Sequence, residues 1–178
     1  MKTILVPIQN IAAMASVLEA AVRLAQRTGA YVEGFPLRFG IPQYLAAELA
    51  TGFSLDSYYT KSEEELAETY RSFEAFMLKH DIAKATAGSS RPCFGWLETA
   101  PEGEDFVGSY GRAFDVIAMI RSDVDAAGPH RRAIESALFE SGRPLLLVPL
   151  DPPKSIATNI MIHWRVAPCK RVEVCRLR

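Results

Sequence analysis

Arg131 and Arg132 stand side by side where a polar loop opens a short helix, inside the stretch DVIAMIRSDVDAAGPHRRAIESALFESGRPLLLVPL of residues 115–150. Two guanidinium groups at a helix N-terminus can receive an anion by side-chain charge, adding to the free backbone N–H groups and the positive end of the helix dipole. The plain alternative is a solvated helix start. The same loop supplies Arg121, Ser122 and one glycine, Gly128, where a backbone cradle for phosphate would want small residues with open N–H groups. A first apolar run ends in Pro7-Ile8-Gln9-Asn10, which a parallel sheet brings to the same crevice. The candidate ligand site for a nucleotide or anion is therefore Pro7, Ile8, Gln9, Asn10, Arg121, Ser122, Gly128, Arg131 and Arg132. No catalytic residue and no metal ligand is assigned.

Other chemistries lack their residues. No glycine follows the first strand, so the dinucleotide fingerprint is missing, and there is neither a G-x-x-x-x-G-K-[ST] loop nor the acidic pair of a phospho-accepting receiver. No serine lies in a G-x-S-x-G elbow. His80, His130 and His163 are isolated in sequence and are read as structural or solvated. Cys93, Cys169 and Cys175 are odd in number and form no Cys-x-x-Cys pair, which fits neither a disulfide framework nor a zinc site. Glu102, Glu104 and Asp105 suit a loop entering a helix N-terminus. Tyr58, Tyr59, Tyr70, Phe73 and Phe76 are read as core or interface packing.

The elements that must position the site read clearly. Thr3–Ile8 is a short β-branched apolar run, the pattern of a strand covered on both faces. Ala13–Thr28 carries Val17, Ala21, Leu24 and Thr28 at helical spacing and meets a stop at Gly29. Tyr31–Leu37 can be a second strand, weakened by Gly34 and Pro36, which push its end toward an irregular or edge conformation. Phe39–Phe53, with Gly40, Pro42 and Gly52, suggests a flap over the sheet around a helical piece at Gln43–Ala50. The spacing of Leu66, Tyr70, Phe73 and Met77 predicts a long helix within Ser57–His80. Phe94–Thr99, Asp115–Ile120 and Pro144–Leu150 complete five strands, with helices at Glu104–Ala113 and Arg132–Ser141 and a stop at Gly142. Strands alternating with helices imply a parallel sheet with helices on both faces.

The chain has 178 residues, 49% apolar and 23% charged, as a single soluble domain would. Its net charge of −1 hides an asymmetry. Residues 165–178 hold five basic side chains against Glu173 alone, leaving fifteen basic and twenty acidic ones over residues 1–164. An acidic body disfavours nucleic acid as a partner. No run approaches the roughly 18 apolar residues of a membrane span, and no export signal precedes the first strand. The cysteine pattern points to a reducing cytoplasm.

With KTILVPI, LAQRTGA, DVIAMI and ESALFESGRPLLLVP in this order, residues 1–150 resemble the universal stress protein family. The resemblance implies a Rossmann-like, adenine nucleotide alpha hydrolase-like three-layer sandwich with a five-stranded parallel sheet, and a homodimer formed through the last strand. ATP-binding members carry G-x2-G-x9-G-[ST] before the last helix. Here Ile120 takes the first glycine position, the loop is about two residues shorter, and Arg131-Arg132 replace the final Gly-Ser. The acidic residue often seen after the first strand is Gln9. An arginine Cβ blocks the close approach that glycine permits, so ATP is not carried over and no cofactor is expected.

Asp151–Ser155 reads as a linker, and Ala157–Trp164 resembles the first strand of a second such domain whose helix does not follow. Residues 151–178 are thus expected to be a linker and a tail that is disordered or pairs with a neighbour, as a truncated or frameshifted tandem protein would leave. The functional expectation is a cytoplasmic, non-enzymatic, dimeric stress-response module that binds a partner or regulates one. Its alternative is a nucleotide-binding protein, for ATP or AMP, with sensing or slow hydrolysis in the same crevice. An apolar small ligand beneath the Phe39–Phe53 segment is a third reading.

Overall fold

The structure, a computed structural model, describes residues 1–9, 11–38, 55–88, 91–121, 129–151, 160–165 and 172–177. The expected flap at Phe39–Phe53 lies outside them, as do Asn10, Ser122 and Gly128. The strands are β1 (Thr3–Ile8), β2 (Tyr31–Pro36), β3 (Ala83–Lys84), β4 (Cys93–Trp96), β5 (Val116–Ile120) and β6 (Leu145–Val148). Among the described residues four helices accompany them: α1 (Ile11–Thr28), α2 (Leu55–Lys79), α3 (Asp105–Gly111) and α4 (Pro129–Glu140). Two further strands, β7 (Ile160–Arg165) and β8 (Val172–Leu177), pair with each other antiparallel in a separate sheet.

The main sheet runs β3-β4-β2-β1-β5-β6, and its pairs are all parallel. It has six strands, one more than the five legible in sequence. The extra strand is the two-residue edge piece β3, held by Ala83↔Cys93 and Lys84↔Phe94. Two residues cannot carry a periodicity, so no sequence pattern could announce it.

Parallel strands need crossover helices, and the crossovers divide the apolar residues into two cores. One holds Ile4, Val6, Leu18, Val22, Phe73, Met77 and Phe94 beneath α1 and α2; the other holds Leu5, Phe35, Val107, Ile117, Met119 and Ala137 beneath α3 and α4. Alternate residues of β1 and β5 serve opposite cores, which is why both strands are uninterruptedly apolar. Gly29 and Gly142 end α1 and α4 with φ of +63° and +64°, the left-handed stop that only glycine adopts at no steric cost.

β2 is an interior strand between β1 and β4, and toward its end, past Gly34, it keeps only the pairing with β1. Gly34 is there for packing, since a Cβ would stand 2.7 Å from Phe73 Cε2. Pairing with β4 ends at Gly34↔Trp96, so Pro36 lies beyond the ladder that would need its missing N–H, while Leu37 N–H still donates to Ile8 at 2.7 Å. Tyr31 and Tyr110 both donate hydroxyls to Glu33, joining β2 to α3. Burial, helped by the Glu33 hydrogen bond, pushes the Tyr110 phenol up to about 12, and Tyr31 rises for the same reasons. At the start of β1 the Lys2 and Thr3 N–H groups donate to Asp115, holding its carboxyl below the usual range and fastening β1 to β5.

Candidate functional site

The strand order sets β2, β3 and β4 on one side of β1 and β5 and β6 on the other, so the chain reverses its direction of winding between β1 and β5. Their carboxyl ends diverge there into a crevice, the general ligand position of open α/β sheets. A small, partly open pocket lies there, lined by Val6, Pro7, Ile8, Gln9, Met14, Val17 and Ile120. Met14 and Val17 come from the first turns of α1, which begins immediately after β1 and therefore roofs the strand end. Sequence reading had Val17 as a core position and did not single out Met14. Nothing in an i, i+3 apolar pair distinguishes a cavity wall from a core face.

Gln9 is the polar member of this lining. Its Oε1 and Nε2 are both buried and neither has a hydrogen-bond partner. A buried amide left unpaired costs about 1–3 kcal/mol, and each such group in a folded protein calls for a physical account. Here the account is positional, because the side chain stands at the switch point against an otherwise apolar cavity.

His130, dismissed in sequence as a singleton, also comes to this edge. It is the second residue of α4 and is half-buried beside the end of β5. Burial holds its imidazole below the ordinary value, and a hydrogen bond to the Ile120 carbonyl acts the other way. Its proximity to the site depends on tertiary pairing of α4 with β5 and leaves no sequence signal. The unfolded chain takes up the proton first as pH falls below about 6.5, so this group's contribution to stability is present above that pH and fades on acidification toward the folded pKa. An NMR titration should place His130 below about 6.5, and urea unfolding of His130→Gln should show a shallower loss of stability between about pH 7 and pH 5.

The arginine pair sits differently. Arg131 Nε reaches Glu135 Oε1 at 2.8 Å, one turn along α4, and Arg132 Nε reaches Glu104 Oε1 at 3.5 Å, just before α3. Both arginines are exposed, whereas Glu104 retains only 18% of its side-chain surface. Arg38 reaches Glu102 at 3.0 Å, so the loop after β4 is tied to the ends of both β2 and α4. Pro7, Ile8 and Gln9 share the cavity, and Arg121 follows Ile120, its N–H donating to Val148 at 2.6 Å. Among the described residues no group of three His, Cys, Asp or Glu could hold a metal ion, and no helix is long and apolar enough to cross a membrane.

The strand order, the two helical layers and the switch-point cavity define a doubly wound, Rossmann-like α/β domain. Within that class the fold is the one seen in universal stress proteins. A universal stress protein family member from Burkholderia pseudomallei matches with a TM-score of 0.53 and 20% identity, over 83% of this chain and 96% of its own. The universal stress protein from Archaeoglobus fulgidus matches at 0.54 and 16% identity, covering 83% and 93%, and UspA from Lactobacillus plantarum at 0.55 and 14%, covering 83% and 97%. No protein-family model matches the chain, and no curated protein is similar to it in sequence.

Proposed function

We propose that the chain is a cytoplasmic stress-response protein that works without catalysis, as a dimeric module whose switch-point crevice takes a small neutral ligand. The orphaned Gln9 carboxamide carries this reading. Its adjacent donor and acceptor suit a ligand edge offering the complementary pair, an amide or a nitrogen heterocycle, and Val6, Ile8, Met14, Val17 and Ile120 suit an apolar body beside it. That Arg131 and Arg132 already have carboxylate partners supports a ligand whose recognition does not centre on phosphate. Dimerisation is supported by β6, a terminal strand of four consecutive apolar residues whose outer edge has no strand partner in the described sheet. Such edges are ordinarily covered.

Thermal-shift titration tests the reading. Adenosine is expected to give a saturable shift and inorganic phosphate none. Gln9→Leu should abolish the adenosine shift while raising the stability of the ligand-free protein by about 1–3 kcal/mol, because the unpaired amide is removed. A Gln9→Leu protein that is less stable and still responds would overturn the assignment. The second reading, a nucleotide site using the α4 N-terminus, is favoured by that helix starting beside the crevice. It predicts instead that ATP and phosphate both shift the transition and that Arg131→Ala weakens phosphate affinity tenfold or more.

A further inference from the structure

The strands of the main sheet are all parallel, so strand starts and helix C-termini gather at the end of the domain opposite the crevice. That end is basic. Lys2, Arg91 and Arg143 stand shortly before β1, β4 and β6, and Arg27, Lys79 and Arg112 at the ends of α1, α2 and α3, against Asp81, Asp115 and Glu140. All six basic residues are exposed. The remainder of residues 1–164 holds nine basic side chains and seventeen acidic ones, so the domain is strongly polarised. Helix dipoles favour cations at Arg27, Lys79 and Arg112, but strands have little dipole to favour the other three. Arg91, Arg112 and Arg143 donate to the carbonyls of Lys2, Glu140 and Arg112, contacts that fix the guanidinium groups without neutralising them. Large apolar side chains are exposed at the same end: Leu78 in the last turn of α2, and Leu138 and Phe139 in the last turn of α4, Phe139 with 76% of its surface open. α2 and α4 cover opposite faces of the sheet, so these residues flank the basic row on both sides.

We propose that this end is a docking surface for an anionic lipid bilayer, with lipid phosphates on the basic side chains and Leu78 and Phe139 reaching the boundary of the acyl chains. A soluble polyanion would engage the charges and leave the apolar side chains in water, whereas an anionic bilayer takes up both. Charge also sets the orientation, since a negative surface attracts the basic end and repels the acidic remainder. The crevice then faces away from the membrane, and docking leaves Gln9 uncovered by lipid. The attachment is peripheral, no helix among the described residues being long and apolar enough to cross.

Co-sedimentation of the full chain with sucrose-loaded vesicles tests this. Vesicles of equimolar phosphatidylglycerol and phosphatidylcholine are expected to carry the protein down at low salt and to release it as salt rises, and pure phosphatidylcholine vesicles to leave it in solution. Lys2→Gln, Lys79→Gln and Arg91→Gln combined should weaken partitioning about a hundredfold, at about fivefold for each basic side chain near an anionic membrane. Arg71→Gln, about 12 Å further along α2 from Lys79, should have little effect. Leu78→Ser with Phe139→Ser should weaken vesicle binding about tenfold or more and leave binding to a poly-glutamate peptide unchanged. Urea unfolding checks that each variant is folded. Protein that stays in solution with the anionic vesicles at low salt, or that binds both kinds of vesicle equally, overturns the assignment. So does vesicle binding indifferent to the Leu78 and Phe139 changes, with poly-glutamate or a DNA duplex bound as tightly, which would make this end a site for a soluble polyanion.

Discussion

Phe73→Ala is expected to lower the stability of the domain by about 3–5 kcal/mol, the range for deleting a fully buried aromatic ring. Phe73 has no exposed surface and stands at the junction of α2, β2 and β4. Its ring meets Phe94 edge-on at 5.6 Å and Trp96 at 5.0 Å. The cost should fall toward the upper end because the wall on the β2 side is Gly34, which has no side chain to move into the space. At about 2–4 °C per kcal/mol for a domain of this size, the midpoint should drop by roughly 6–20 °C in calorimetry. Gly34→Ala should destabilise for the opposite reason, its Cβ meeting Phe73 Cε2 at 2.7 Å. The pair is therefore coupled: Gly34→Ala combined with Phe73→Leu should cost less than the two single changes added. Strict additivity would mean that the glycine is not set by this ring.

The same contact shows where sequence reading succeeded and where it stopped. The helical spacing of Leu66, Tyr70, Phe73 and Met77 placed Phe73 on a core face, and the core face is where it lies. Gly34 was read only as weakening the strand, because a sequence shows the absent Cβ but not the ring that occupies its place. β1 and β5 were legible since strands buried on both faces have only one composition available to them. The site divides along the same line. Position at the end of β1 drew attention to Gln9, a local inference from strand and crevice. That both its polar atoms are unpaired, that His130 stands beside Ile120, and that Arg132 is claimed by Glu104 depend on side chains remote in sequence or on which way a helix is turned. None of these has a period to read.

Gly108→Ala carries the other large effect, and it tests whether α3 and α4 form one rigid support for the edge of the crevice. A Cβ at position 108 would lie 2.6 Å from the Ser136 carbonyl oxygen and 2.8 Å from Glu140 Cβ, contacts that a swing of a flexible side-chain end cannot relieve. The two helices must separate. Gly108 N–H also donates to Ser136 Oγ on α4 at 3.1 Å, a buried contact between the two helices. Separation lengthens that bond as well. Overpacking costs about 1–3 kcal/mol and a lost buried hydrogen bond about 1–3 kcal/mol more, against at most about 1 kcal/mol gained from alanine's helix propensity. The net is a destabilisation of about 1–5 kcal/mol, measurable by urea unfolding. Ser136→Ala separates the contributions, since it removes the hydrogen bond to the Gly108 N–H without forcing the helices apart and should cost about 0.5–1.5 kcal/mol. Because α4 carries His130 at its start and Phe139 at its end, a shift of this helix reaches the crevice and the exposed apolar face together. Gly108→Ala should therefore move the His130 titration toward its ordinary value as burial is relieved, while Ser136→Ala leaves it in place. Equal His130 titrations in the two variants would show that α4 does not move as a body.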